Sequence, residues 1–259
     1  MSGTQPLKLY FGAELAQRLS DLIKPHYAEF PVRSFVDSVA GLVGPLELKG
    51  RVAVIADGLK MALPDDYTES IGILMHILGP ENETDEGMFT NGYFLMPVAY
   101  FVEKYGLDHF QLSMRALCEI TKRHTAEYAI RPYLDIYLEE SIGQLGSWSQ
   151  DANFHVRRLV SEGTRPRLPW AKRIGALRGD PACNLALLEP LLHDPAPYVR
   201  KSVANHLNDL AKDYKEVVLD WLREHQAFGG DSYRWVVRHS LRSLVKSEDR
   251  DALRLLNEL

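Results

Sequence analysis

The sequence predicts an all-α fold, a solenoid built from stacked helix pairs. Three observations carry that prediction. Apolar residues recur at helical spacing along almost the whole chain, no alternating strand pattern persists, and a helix-opening motif returns in the second half. The 259 residues, 46% of them hydrophobic and 25% charged, are enough to bury a substantial core.

Taken in order, Leu15, Leu19, Leu22 and Ile23 mark a first amphipathic helix. Val52, Ile55, Leu59 and Leu63 mark another, ended by Pro64, and Ile71, Leu74, Met75 and Leu78 a third, ended by Gly79-Pro80. The polar, punctuated stretch Glu81–Asn91 reads as a loop. Helices follow over Phe94–Tyr105 and Phe110–His124, with Gly106 between them as the expected C-cap.

The repeat comes next. Asp151-Ala-Asn-Phe-His-Val156-Arg157 matches Asp194-Pro-Ala-Pro-Tyr-Val199-Arg200, and Asp231-Ser-Tyr-Arg-Trp-Val-Val237-Arg238 is a looser third copy. The Val-Arg pairs lie 43 and then 38 residues apart. Each Asp is suited to cap its helix, and Pro195 to take the first helical position. A helix pair every 40 or so residues is the signature of HEAT-like solenoids, whose second helices line a concave groove. Residues 1–110 are expected to form the N-terminal helical part and 111–259 the repeats that carry the groove, in one continuous domain.

Charge is unevenly spread. The net −5 divides into 18 Lys and Arg against 15 Asp and Glu over 151–259, and 12 against 20 before that. Between Arg157 and Arg178 seven basic residues face one acid, Glu162. Fields are screened beyond about 10 Å, so a local basic patch on an acidic body is able to bind phosphates. No apolar run approaches the roughly 18 residues of a membrane helix, and the N-terminus lacks the layout of a signal peptide. Cys118 and Cys183 are too few for a disulfide framework; both are expected in the core, and the protein in a reducing cytoplasm, associated with the nucleoid when on DNA.

Helical angles sort the repeat residues into faces. Val199, Val203, Leu207 and Leu210 form the buried stripe of the second copy, with Ser202, Asn205, Asp209 and Lys212 opposite. In the first copy Val156, Leu159 and Val160 are buried, while Arg158, Glu162 and Arg165 point away. A shift of 43 places Glu162 on Asn205, so Glu162 and Asp209 share equivalent polar faces about one turn apart. That is a site-like arrangement. Surface pairing is also open: Glu162 with Arg158 or Arg165, and Asp209 with Lys212. Trp170, beyond Pro166 and Pro169, sits on a loop, where it is either a binding element or ordinary packing. No metal-ligand spacing, phosphate loop or nucleophile elbow occurs, so any catalysis must use carboxylates, and no metal or cofactor is expected.

These residues are familiar. The run His155-Val-Arg-Arg-Leu-Val-Ser-Glu162-Gly-Thr-Arg165-Pro-Arg-Leu-Pro-Trp170 resembles the AlkC branch of the HEAT-like DNA alkylation-repair glycosylases. So do Tyr198-Val-Arg-Lys-Ser-Val-Ala-Asn205-His-Leu-Asn208-Asp209, Thr125-Ala-Glu127-Tyr-Ala-Ile-Arg131-Pro and Leu46-Glu-Leu-Lys-Gly-Arg51. Some members carry an immunoglobulin-like domain after the solenoid; none is expected before Leu259. The resemblance implies a glycosylase releasing cationic bases such as N3-methyladenine and N3-methylcytosine from double-stranded DNA, acting as a monomer. It implies Glu127, Glu162 and Asp209 as catalytic carboxylates and Trp170 as an aromatic wall beside the lesion. Arg158, Arg165, Arg200, Lys201, Arg238 and Arg242 are candidates for DNA phosphates. The rival expectations are a non-catalytic HEAT protein binding damaged or branched DNA, which loss of the carboxylates would favour, and a protein-binding scaffold, which an apolar groove would favour.

Overall fold

A computed structural model describes residues 6–87, 90–226 and 229–259. Among these residues the regular structure is helical and no strand occurs. In the first part lie α1 (Ala13–Ile23), α2 (Val32–Val43), α3 (Leu48–Ala62), α4 (Tyr67–His76), α5 (Met96–Tyr105) and α6 (Phe110–Thr121). The short α7 (Arg131–Ile136) follows. The chain forms two compact units, Met1–Pro132 and Tyr133–Leu259.

In the first unit most of each predicted stripe is buried, although Leu22 and Met75 are only half-buried and Leu78 lies beyond α4. Leu15, Leu19 and Ile23 of α1, Ile55 and Leu59 of α3, and Ile71 and Leu74 of α4 are fully enclosed. Helix α2, which the sequence reading did not single out, buries Phe35, Val39 and Val43 at i, i+4, i+8. Its approach to α3 depends on Gly58, where a Cβ would stand 2.8 Å from the Phe35 ring. The buried Arg51 donates to the carbonyls of Leu46 (2.7 Å), Gly44 (3.1 Å) and Phe11 (3.3 Å). The basic end of that early motif therefore satisfies backbone acceptors after α2, which are costly to leave bare. Helix α6 ends at Thr121, three residues before the expected His124. Gly106 does cap α5, but at φ −97°, outside the left-handed region. Glu81–Gly87 is free of helix, as expected, and residues 88 and 89 of that loop lie outside the described residues.

The second unit holds α8 (Leu138–Trp148), α9 (Phe154–Gly163), α10 (Pro181–Leu188), α11 (Pro197–Leu210), α12 (Lys215–Glu224), α13 (Asp231–Ser240), α14 (Arg242–Lys246) and α15 (Arg250–Asn257). Helices α9, α11 and α13 are the second members of successive pairs, and α11 packs between the other two. The predicted stripe Val199, Val203, Leu207 and Leu210 is fully buried, as are Val156, Leu159 and Val160.

Three details of the repeat differ from expectation. The aspartates do not cap the helices: Asn153 caps α9, and Asp151 and Asp194 instead accept from the amides of Asn153 (2.7 Å) and Ala196 (2.8 Å), closing the turns before their helices. The first helical position of α11 is Pro197, not Pro195. The third copy is also displaced. Helices α9, α11 and α13 begin at 154, 197 and 231, so the second step is 34 residues, not 38. Buried Tyr233, Val237 and Leu241 thus take the places of Val199, Val203 and Leu207. Arg238 consequently lies one turn further along its helix than Arg200 does. Cys118 and Cys183, expected in the core, are only half-buried.

Candidate active site

The corrected register aligns three rows of side chains across α9, α11 and α13. Arg158, Lys201 and Trp235 form one row; Glu162, Asn205 and His239 the next; Arg165, Asn208 and Arg242 the third. Each follows from steps of 43 and 34 residues.

The polar face of α9 and α11 is packed rather than open. Glu162 and Asp209 are only 6% and 3% exposed. One guanidinium joins them: Arg165 donates from Nη1 to Glu162 Oε1 at 2.7 Å and from Nε to Asp209 Oδ2 at 2.9 Å. Arg158 approaches Glu162 at 3.6 Å and Lys212 approaches Asp209 at 3.8 Å. The pairs suggested by spacing therefore form, but in the interior, together with a link between repeats that no single-helix spacing contains. Ser202 donates to Glu162 Oε2 at 2.6 Å, a contact the sequence reading missed although Ser202 stood on the polar face.

Burial alone would push the Glu162 carboxyl up. The charges of Arg158 and Arg165, with hydrogen bonds from Ser202 and Arg165, outweigh it and hold the carboxyl below its ordinary value. Arg165 shows the reverse balance: burial works against its charge, but Glu162 and Asp209 raise its pKa above the usual value. The pair is thus built to remain ionised without water.

The rest of the Asn205–Asp209 motif is equally occupied. Asn205 Oδ1 accepts from Arg242 Nη2 (2.9 Å) and His239 Nε2 (3.2 Å), and Asn208 Oδ1 accepts from the Ser243 amide (3.2 Å). His206 is fully buried, with Nδ1 2.9 Å from the Ser161 carbonyl and Nε2 3.0 Å from Asn184 Nδ2. A carbonyl only accepts, so Nδ1 carries the proton and Nε2 accepts from Asn184, the neutral tautomer. Asn184 Oδ1 in turn accepts from the Leu177 amide at 2.8 Å. Both roots of the loop between α9 and α10 are therefore tied to α11.

That loop carries Trp170, 77% exposed and at φ +62°. A left-handed backbone is unfavourable for a bulky residue, by about 1–2 kcal/mol. The loop sustains it by burying Leu168, Ala176 and Leu177 and by an Arg167–Asp213 pair at 2.6 Å.

Two of the expected phosphate ligands are engaged elsewhere. Arg165 is buried between the carboxylates, and Arg200 turns back to donate to the carbonyls of Asp194 and Pro195 (2.9 Å). Arg157 does the same with Asp151 (2.8 Å) and Ala152 (2.9 Å), so this is the structural duty of the repeat's Val-Arg pair. Lys201, Arg238 and Arg242 remain exposed, and Arg158 is half-buried with its guanidinium 5.0 Å over the Tyr198 ring. Glu127 belongs to the first unit, buried in the turn before α7. Among the described residues no group of three or more potential metal ligands occurs, and no helix is long and apolar enough to cross a membrane.

Comparison with known proteins places the fold in a family. The DNA alkylation repair enzyme family matches over residues 120–244. The Bacillus subtilis (strain 168) protein YhaZ is 38% identical over 254 residues, covering 96% of this chain and 67% of that protein. Among solved structures, the Pseudomonas fluorescens alkylpurine DNA glycosylase AlkC, bound to DNA containing an abasic-site analogue, superposes with a TM-score of 0.86 at 34% identity. That match covers 97% of this chain and 68% of that one. A helical-repeat fold and similarity along nearly the whole chain place this protein in the DNA alkylation repair enzyme family, in its AlkC-type branch.

Proposed function

We propose that the protein is an alkylpurine DNA glycosylase that hydrolyses the N-glycosidic bond of cationic, N-alkylated bases in duplex DNA. The observation that carries this reading is the buried Glu162–Arg165–Asp209 assembly, in which one guanidinium holds two carboxylates on neighbouring helices and the Glu162 carboxyl lies below its ordinary value. Alkylation at N3 gives the base a positive charge, so it departs as a neutral molecule and needs no proton from a general acid. The remaining requirement is to stabilise an oxocarbenium-like sugar and align a water, and fixed negative charge in a dry setting does both.

In this reading Glu162 and Asp209 face the developing sugar cation, and Glu127 is the third carboxylate on the strength of the family motif alone. Trp170 offers an aromatic face to the lesion, worth about 0.5–2 kcal/mol for a cationic base and little for a normal one. Lys201, Arg238, Arg242 and Arg158 are proposed for backbone phosphates, and Arg165 and Arg200 are withdrawn from that role. The protein works as a monomer.

The test is incubation of the full chain with methylated duplex DNA and identification of the released bases. Asp209→Asn should lower base release at least about 100-fold with little change in DNA affinity, because the lost interaction strengthens in the transition state. Near-normal release by that variant removes Asp209 from the catalytic set.

A further inference from the structure

Beside the carboxylate pair, the rows across α11, α13 and α14 converge on a cluster whose histidine has no part in the function proposed above. His239 occupies the position that Glu162 holds in the first repeat helix and Asn205 in the second. Its Nε2 donates to Asn205 Oδ1 at 3.2 Å, and Arg242 Nη2 donates to the same oxygen at 2.9 Å. Two donors on one oxygen fix the orientation of the Asn205 amide and leave Nδ1 as the second, titrating nitrogen of His239. The imidazole lies on the indole of Trp235, one turn earlier in α13, at 5.0 Å and 8° between planes. Trp235 is itself 44% exposed.

The charges that act on His239 are Arg242 from α14 and Lys201 from α11, both positive. Burial first, and then those two cations, depress its pKa below the usual imidazole value. Arg242 has a depressed pKa as well, from burial and from Arg165, only partly offset by Asp209. Three nitrogen-bearing side chains thus converge with more positive potential than the nearby carboxylate, already held by Arg165, relieves. A single phosphodiester supplies the missing negative charge, and a ring poised on an indole face gains from being protonated there.

We propose that Lys201, His239 and Arg242 seat one phosphodiester of the DNA backbone, and that His239 takes up a proton from solvent as the phosphate arrives. The idea rests on the DNA-glycosylase reading and adds a residue and a linked proton to it. The sign follows from the charges. His239 is neutral in the free protein near pH 7, and an adjacent phosphate raises its pKa, so DNA affinity rises as pH falls. The window runs from the depressed free pKa up to the bound value, and the gain in affinity on acidification is read there.

The experiment is calorimetric titration of the full chain with a duplex carrying a stable abasic-site analogue. It is run near pH 7 in phosphate-free buffers of differing ionisation enthalpy, so that proton uptake is read directly. The expected result is uptake of up to one proton per complex for the wild type and near none for His239→Gln, whose amide preserves the donor to Asn205. Lys201→Met should weaken binding to the duplex and lower its salt slope by roughly one. Arg242→Gln should lower the salt slope of binding by roughly one. Equal proton uptake by the wild type and His239→Gln overturns the proposal while leaving the glycosylase reading intact. Absence of DNA binding by the wild type at every pH overturns both. If micromolar inorganic phosphate alone elicits the full uptake, the seat is a general anion site and its assignment to the duplex fails.

Discussion

Arg165 stands where two buried carboxylates would otherwise repel each other, and both contacts depend on its planar fork. Lysine has no second arm with which to reach Glu162 and Asp209 together. Arg165→Met leaves Glu162 with Ser202 and a longer approach from Arg158, and Asp209 with Lys212 at 3.8 Å. Uncompensated buried charge is costly, so the variant should lose about 3 kcal/mol of unfolding free energy in urea titrations near pH 7. The loss should shrink as pH falls, because protonating Glu162 removes the stranded charge. In the wild type the sign is opposite. The depressed Glu162 pKa contributes stability in full above the ordinary value of 4.5, and that contribution is lost as pH falls through the lower folded value. A wild-type stability that rises with acidification through pH 4 would contradict this assignment.

At the scale of elements, successive repeats are joined by a bidentate clamp. Arg157 donates from Nε (2.6 Å) and Nη2 (3.0 Å) to Asp194, which also holds the Ala196 amide before α11. Asp194→Ala should cost about 3 kcal/mol, since a half-buried guanidinium loses its charged partner and keeps only backbone carbonyls, and an amide loses its acceptor. The double variant with Arg157→Ala should cost less than the sum of the two single changes, and strict additivity in a denaturation cycle would refute the clamp. Spacing could not reveal this joint. Periodicity read the helices well wherever a long apolar stripe existed, and it overlooked α2, whose stripe is only Phe35, Val39 and Val43. It marked Glu162, Asp209 and Trp170 through the family motif, and placed the first two on one face. It could not tell that the face is packed, because angles around a single helix say nothing about what the neighbouring helix presents. Asp194 and Arg200 look like a cap and a groove cation in one dimension, whereas their partners lie across a turn or on another helix. His239 was missed because the Val-Arg pairing shifted the third repeat by one turn.

For the molecule as a whole, charge is both a liability and a selector. If a chain of net −5 meets DNA through its C-terminal excess of basic residues, as proposed, its binding should be strongly salt-dependent. In the proposed mechanism the same logic governs which lesions are accepted. Negative charge without a general acid favours bases that already carry a positive charge, so N3-methyladenine and N3-methylcytosine should be released well and uracil poorly. Trp170→Leu should lower release of the cationic bases and leave little activity on neutral ones to lose. Base-release assays on matched duplexes decide the point, and efficient uracil excision by the wild type would sink the mechanism. Trp170 also has a bearing on how this protein can be improved. Its side chain is largely exposed on a backbone conformation that glycine adopts freely, so tryptophan costs folding free energy at this position. Selection for heat tolerance alone would therefore drift toward glycine at this position, and under the proposed role of the ring a library screened that way would yield sturdier proteins with a weaker hold on the lesion.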